Sequence, residues 1–278
     1  MMLETEVTVD PAIQAALFAR VRRHTGIAMA ERKWTLLQGR LRRRLQALSL
    51  SSYGDYLAVL DSSNDEVGRF IDLVTTNETS FFRTPRIWDY LWHGFLPAWH
   101  AAHPGNVLQV WSAAASTGEE AYSLAMLCEE FREKHPDFRY RILGTDIAGG
   151  VLETGRAGHY LGRNIDGLRK ARPAMLEKYF LGVDEVYTAS PTLRAAVNFR
   201  PHNLYQRLEE PTRFDLVLLR NVLIYFDESG QETVLENVRQ SMSPRAVLLV
   251  GESESLNRLR TGFAYQQPLI YRNDRPPA

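Results

Sequence analysis

Four short apolar runs fix the architecture open to this chain: Val107-Leu108-Gln109-Val110-Trp111, Tyr140 to Gly144, Phe214-Asp215-Leu216-Val217-Leu218-Leu219 and Ala246-Val247-Leu248-Leu249-Val250. Each is the length of a strand. Helical segments stand between them: Glu119 to Glu133, stretches near Val151 and from Pro173 to Phe180, and a helix from about Ser229 to Met242. A strand that returns to the same sheet through a helix lies parallel to its neighbour, so the pattern predicts an α/β fold with a mostly parallel, doubly wound sheet. A weaker strand pair is expected between Glu185 and Phe199.

The chain ahead of Thr75 follows a different pattern. Pro11 to about Ser49 reads as helix, with Ile13, Leu17 and Val21, then Trp34, Leu37, Leu41, Leu45 and Leu48 at helical spacing. Tyr53 to Leu60 and Asp65 to about Val74 read as two more helices, the last with Val67, Phe70, Ile71 and Val74 on one face. The expected organisation is a helical N-terminal domain over 1–75, a linker and bridging helix over 76–100, and an α/β domain over 101–278 with a small antiparallel β-subdomain near 181–200. The bridging helix is expected from Pro85 to about Trp99.

The chain carries 33 basic and 33 acidic residues, so no global field favours nucleic acid or an anionic membrane. Charge is nevertheless concentrated. Nine basic residues against one acid between Arg20 and Arg44, Arg40, Arg42, Arg43 and Arg44 among them, give that segment a net of +8. It suits an acidic partner, or is a solvated helix face. The single cysteine, Cys128, excludes an internal disulfide and sits with Leu124 and Phe131 as a packing residue. With no apolar signal core and no run long enough to span a bilayer, a cytosolic protein is expected. His100 and His103 have no further ligands nearby in sequence, so no metal is expected.

Ligands of doubly wound sheets bind at the carboxyl ends of the strands. The first strand ends in Trp111-Ser112-Ala113-Ala114-Ala115-Ser116-Thr117-Gly118-Glu119-Glu120, small residues with one glycine and no lysine, which fit neither the dinucleotide fingerprint nor a P-loop. Such a turn admits a nucleoside better than a diphosphate; its bland reading is a tight turn capped by Thr117. Asp146, at the tip of the second strand, is placed to accept hydrogen bonds from ribose hydroxyls, or to cap the helix that follows. Together the two favour a ribose-bearing ligand without a pyrophosphate, a description that S-adenosylmethionine meets. Asn221 lies just past the strong third run, with Tyr225 and Phe226 about one helical turn beyond; the Pro-Pro step of base-modifying amino-group methyltransferases is absent.

At this point the chain resembles one family. Asn77-x-Thr79-x-Phe81-Phe82-Arg83, Ser116-Thr117-Gly118-Glu119-Glu120, Thr145-Asp146-Ile147, Asn203-Leu204 and Arg220-Asn221-Val222-Leu223-Ile224-Tyr225-Phe226-Asp227 are similar, in order, to motifs of the chemotaxis receptor protein-glutamate O-methyltransferases, the CheR family. The resemblance implies a Rossmann-like S-adenosylmethionine-dependent methyltransferase domain, S-adenosylhomocysteine as product, and glutamate side chains of methyl-accepting chemotaxis receptors as acceptors. Ala115 and Ala121 stand where the family usually has Cys and Pro, both packing positions. The family's glycine-rich hairpin loop, which can dock a receptor's C-terminal pentapeptide, is replaced by the glycine-poor Val183-Asp184-Glu185-Val186-Tyr187-Thr188-Ala189-Ser190-Pro191, which speaks against that route here.

The resemblance further implies that Asn77, Thr79, Arg83, Glu119, Asp146, Asn203, Leu204, Arg220 and Asn221 surround the cofactor. In this reading Asp146 holds the ribose and Glu119 the methionine amino group or another polar part, while Phe81 and Phe82 anchor the linker. Carboxylate methylation is a direct displacement by a group ionised at neutral pH, its pKa being about 4.3, so no general base is needed. Arg83 and Tyr225 are the residues expected to orient the incoming glutamate. Arg40, Arg42, Arg43 and Arg44 would meet the acidic receptor helices. Two alternatives stand beside this reading: a methyltransferase of the same fold with another acceptor, and a cofactor-sensing signalling module without turnover.

Overall fold

A computed structural model describes residues 9–274. The chain forms two compact units, one running up to Thr76 and including Tyr225–Asp227, the other comprising Asn77–Ile224 and the chain from Glu228.

The first unit is built from α1 (Pro11–Thr25), α2 (Trp34–Ala47), α3 (Tyr53–Ser62) and α4 (Asn64–Val74). The stretch from Pro11 to about Ser49 forms two helices, one for each of its two apolar runs. Gly26, at φ 74°, ends α1 in the left-handed conformation that glycine adopts without a side-chain clash, and its N–H bonds to Arg22 O. Leu17, Val21, Leu37, Leu41, Leu45, Tyr56, Leu60, Phe70 and Val74 form the core. Inside it, the Glu66 carboxylate accepts from Tyr56 Oη at 2.8 Å and from Arg44 Nε at 2.9 Å.

The second unit opens with α5 (Pro85–Tyr90), a wide π turn (Leu91–Phe95) and α6 (Leu96–Ala102), where one continuous helix was expected. Pro97 explains the wide turn: it has no N–H for the carbonyl of His93, and its ring would crowd that carbonyl in a regular helix. Then follow β1 (Val107–Ser112), α7 (Glu119–Lys134), β2 (Arg139–Asp146), α8 (Gly149–Ala157), β3 (His159–Tyr160), α9 (Arg163–Ala171), α10 (Pro173–Tyr179), β4 (Phe180–Val183), β5 (Val186–Ala189), α11 (Pro191–Ala196), β6 (Val197–Pro201), β7 (Phe214–Leu219), α12 (Glu228–Gln240), β8 (Met242–Val250), β9 (Phe263–Gln267) and β10 (Ile270–Asn273).

The main sheet has seven strands in the order β6-β2-β1-β7-β8-β10-β9. From β6 to β8 the pairs are parallel, and β10 and β9 join antiparallel at one edge. The weaker pair expected between Glu185 and Phe199 is not a pair. α11 separates β5 from β6, β6 adds in parallel to β2, and β5 belongs to a three-stranded antiparallel sheet, β3-β5-β4. Asp184 and Glu185, at φ 47° and 65°, turn β4 into β5 without a glycine. Among the described residues no helix is long and apolar enough to cross a membrane.

Candidate functional site

The strand order reverses between β1 and β7, since β2 lies on one side of β1 and β7 on the other. The crevice at such a switch point, beyond the carboxyl ends of the strands, is where open α/β sheets bind ligands. The polypeptide that meets those ends is the connector carrying the polar-to-aromatic run Asn77 to Arg83.

The connector is pinned along its length. Ser116 Oγ donates to Asn77 O at 2.8 Å, Phe82 N–H donates to Ser123 Oγ at 3.0 Å, and Arg83 O accepts from both Arg220 Nη2 at 2.8 Å and Trp88 Nε1 at 2.9 Å. Phe81 packs edge-on against Tyr160 and Phe180, and Phe82 lies against Trp88 under the guanidinium of Arg172. Phe82 and Thr84 hold φ of 51° and 65°, a conformation costing side chains of this size on the order of 1 kcal/mol. The packing and backbone bonds offset that cost. They leave the Arg83 side chain exposed, with one long contact to Glu78 O.

The turn after β1 is equally constrained. Ser116 has φ 50° and Gly118 φ 97°. A Cβ on Gly118 would lie 2.9 Å from the Phe199 ring and 3.0 Å from Tyr160 Oη, so only glycine fits. Thr117, expected as the cap of α7, is not one: Gly118 occupies the N-cap, and Thr117 Oγ1 donates instead to Glu119 Oε2 at 2.6 Å. The hub of the turn is Ser116, whose N–H donates to Asp146 Oδ2 at 2.9 Å while its hydroxyl holds Asn77. Asp146 Oδ1 accepts from Ala148 N–H at 3.0 Å, so this carboxylate also organises the start of α8. His202 N–H bonds to Asp146 O, which brings the end of β6, and Asn203 after it, next to the tip of β2. Asn203 Oδ1 accepts from Tyr205 N–H, and Leu204 is buried.

Two adjacent carboxylates begin α7. Glu119 is wholly enclosed, with Asn164 Nδ2 donating to its other oxygen at 2.9 Å, and burial pushes its pKa up. Glu120 accepts from Ser112 Oγ at 2.7 Å and pairs with Arg220 Nη1 at 2.8 Å; burial raises its pKa even against the opposing charge of Arg220. Arg220 Nε is buried without a hydrogen-bond partner. Asn221 follows at φ 58°.

The structure thus links Asn77 with Asp146 through Ser116, and Arg83 with Arg220 through a separate bond. Thr79 is half-buried on the same connector. Tyr225 lies in the helical unit, where Ala28 N–H donates to its carbonyl and Lys33 Nζ stands 5.9 Å from its ring centroid. Arg22 pairs with Asp227 at 2.6 Å there. Among the arginines read as receptor-facing, Arg44 pairs with Glu66 inside that unit, and Arg40 holds the carbonyls of Leu73, Val74 and Thr75 at the end of α4. Arg42 and Arg43 are exposed. Ser116 and Glu120 stand in a recognised motif but received no role from sequence, and Ser123 was missed, because their importance lies in partners 30 to 100 residues away.

The donor set fits a nucleoside with an amino-acid tail. A carboxylate stands at the tip of β2, the turn beside it is lined by small side chains, and a buried guanidinium nitrogen lacks a partner. Fold and site define an S-adenosylmethionine-dependent methyltransferase. Residues 77–268 match the SAM-binding domain of the CheR methyltransferases and residues 15–75 match the all-alpha domain of the same proteins, so the chain belongs to the CheR methyltransferase family. It is 34% identical over 277 residues to the chemotaxis protein methyltransferase of Escherichia coli (strain K12), covering 96% of this chain and 93% of that one. The chemotaxis protein methyltransferase of Klebsiella aerogenes is 37% identical over 88% of this chain and 84% of its own. Chemotaxis protein methyltransferase 1 of Pseudomonas aeruginosa is 30% identical over 89% of this chain and 92% of its own. The chain is therefore an S-adenosylmethionine-dependent methyltransferase of the chemotaxis family.

Proposed function

We propose that this enzyme esterifies glutamates on the cytoplasmic helices of methyl-accepting receptors, working in the cytoplasm, with Arg83 presenting the acceptor to the cofactor. The observation that carries this reading is the double anchoring of the Arg83 carbonyl by Arg220 and Trp88 beside an exposed Arg83 side chain. A fixed backbone with an outward guanidinium suits a group that aligns an incoming carboxylate.

S-adenosylmethionine, when bound, supplies a methyl group on a sulfonium sulfur. Asp146 accepts from the ribose with the carboxylate that also accepts from Ser116 N–H and Ala148 N–H. Asn203 and Leu204 form the adenine side, and Asn77, Thr79, Arg220 and Asn221 complete the surround. Glu119 serves the methionine end through the Thr117 turn that it braces. Arg83 orients the glutamate by charge-assisted hydrogen bonds. A guanidinium that neutralised the carboxylate completely would weaken it as a nucleophile, so alignment is its main contribution. Arg42 and Arg43 meet the acidic receptor helices and hasten their encounter.

The balanced overall charge supports neither nucleic acid nor bilayer as a partner. The glycine-free turn at Asp184-Glu185 supports an enzyme that does not rely on docking a receptor's C-terminal pentapeptide there. The experiment is transfer of labelled methyl from S-adenosylmethionine to a receptor cytoplasmic fragment. Base-labile label is expected, with the rate at saturating S-adenosylmethionine lost about a hundredfold on Arg83→Ala. Base-stable label, or an undiminished rate for the variant, would refute the reading.

A further inference from the structure

Three backbone N–H groups converge on one carboxylate at the ends of β7 and β8. Glu254 Oε2 accepts from Gly251 N–H at 2.6 Å and from Asn221 N–H at 2.8 Å, and Oε1 accepts from Leu223 N–H at 2.8 Å. Glu254 is buried, and its own N–H closes the loop by donating to Gly251 O at 3.0 Å. β7 ends at Leu219 and β8 at Val250, so all three donors lie beyond the strands. A buried N–H left unpaired is costly, and an ionised carboxylate is a strong acceptor for it.

The bonds also explain an unusual backbone. Asn221 holds φ 58°, a region that asparagine tolerates but does not prefer, and its N–H is one of the three donors. Gly251 closes the arrangement from the β8 side. A Cβ there would lie 2.7 Å from Asn221 Nδ2, 2.7 Å from Glu254 Oε2 and 2.8 Å from Asn221 N. The side chain of Asn221 is thus packed directly over Gly251, and the carboxylate behind it keeps both in place.

We propose that Glu254 is a positioning residue for the methyl-transfer site: it joins the ends of β7 and β8 and holds Asn221 in the left-handed conformation, its amide packed over Gly251, at the strand ends that border the cofactor crevice. This inference rests on the placement of Asn221 in the cofactor surround. Nothing in the chemistry requires Glu254 to touch the cofactor. Its negative charge is used on the protein's own amides.

The test is a double-variant cycle read by calorimetric binding of S-adenosylhomocysteine to the full chain. Glu254→Gln keeps the shape but turns an amide donor toward an N–H donor. It is expected to weaken binding about tenfold or more while the protein still melts cooperatively. Asn221→Ala should give a similar loss, and the double variant should bind within about twofold of Asn221→Ala alone, because both changes remove one arrangement. Losses that multiply, or wild-type affinity in folded Glu254→Gln, would overturn the inference. If Glu254→Gln does not fold, Gly251→Ala, whose methyl displaces Asn221, takes its place in the same cycle with the same two outcomes. Wild-type protein that fails to bind S-adenosylhomocysteine at millimolar concentration would instead refute the cofactor assignment itself.

Discussion

Arg220 Nη2 donates to the carbonyl oxygen of Arg83 at 2.8 Å, joining the exit of β7 to a residue 137 positions earlier. The same guanidinium bonds Glu120 through Nη1, so one planar group ties α7 to the connector. Only a fork with separated donors can serve both acceptors. Arg220→Lys is therefore expected to keep one bond, leave the buried Glu120 carboxylate underpaired, and lower kcat/KM for methyl transfer about thirtyfold, equivalent to about 2 kcal/mol. Steady-state rates beside thermal melts check this, and a Lys variant within threefold of wild type would show that the bonds to Arg83 and Glu120 do not govern the site.

Asp146 has two expected duties, ribose recognition and support of the turns at Ser116 and Ala148. Asp146→Asn preserves one acceptor oxygen but removes the charge. Since hydrogen bonds to a charged group contribute about 1.5 to 3 kcal/mol, S-adenosylhomocysteine should bind at least about tenfold more weakly. Calorimetry on the folded variant measures it. An unchanged Kd would confine Asp146 to its structural duty.

The fold was legible where periodicity is strong. β1, β2, β7 and β8 follow from short, predominantly apolar runs whose C-terminal halves are buried, and α4 from Phe70 and Val74. Where one residue's backbone decides, the sequence was less informative: Pro97 opens a π turn in a pattern that reads as one continuous helix. The edge hairpin of β9 and β10, with its Gln- and Tyr-rich faces, lacked an apolar signal, and β5 and β6 were assigned to each other because spacing does not reveal which sheet a short strand joins. At the site, motif residues such as Asn77, Asp146 and Arg220 were visible as polar groups in sequence. Ser123 and Glu254 were not, nor were the roles of Ser116 and Glu120, because their partners are brought near only by the fold.

The basic segment divides into residues with different expected phenotypes. Arg42 and Arg43 are exposed, whereas Arg40 holds the end of α4 and Arg44 pairs with Glu66. Arg42→Glu with Arg43→Glu should raise KM for a receptor fragment about tenfold at low salt, leave kcat and Tm nearly unchanged, and lose most of that effect at 0.5 M salt, where the Debye length falls to about 4 Å. Arg40→Ala should instead lower Tm with KM unaffected in the folded protein. A salt-independent KM in the double variant would remove the acidic-helix reading of this surface.

The Glu66 carboxylate gives the helical unit a defined acid sensitivity. Burial by itself would raise its pKa, but hydrogen bonds from Arg44 and Tyr56 outweigh burial and hold it below the ordinary 4.5. A carboxyl depressed in the folded state stabilises that state above its unfolded pKa, and the contribution fades as pH drops through the folded value. Glu66→Gln leaves the Arg44 charge without its partner and should cost about 3 kcal/mol at pH 7. Below pH 4.5 the wild type progressively protonates Glu66 and loses the same attraction, so the two melting temperatures should converge toward pH 2.5. Melts of both proteins across pH 2.5 to 7 provide the measurement; a gap that stays constant with pH would mean that the ion pair contributes through shape alone.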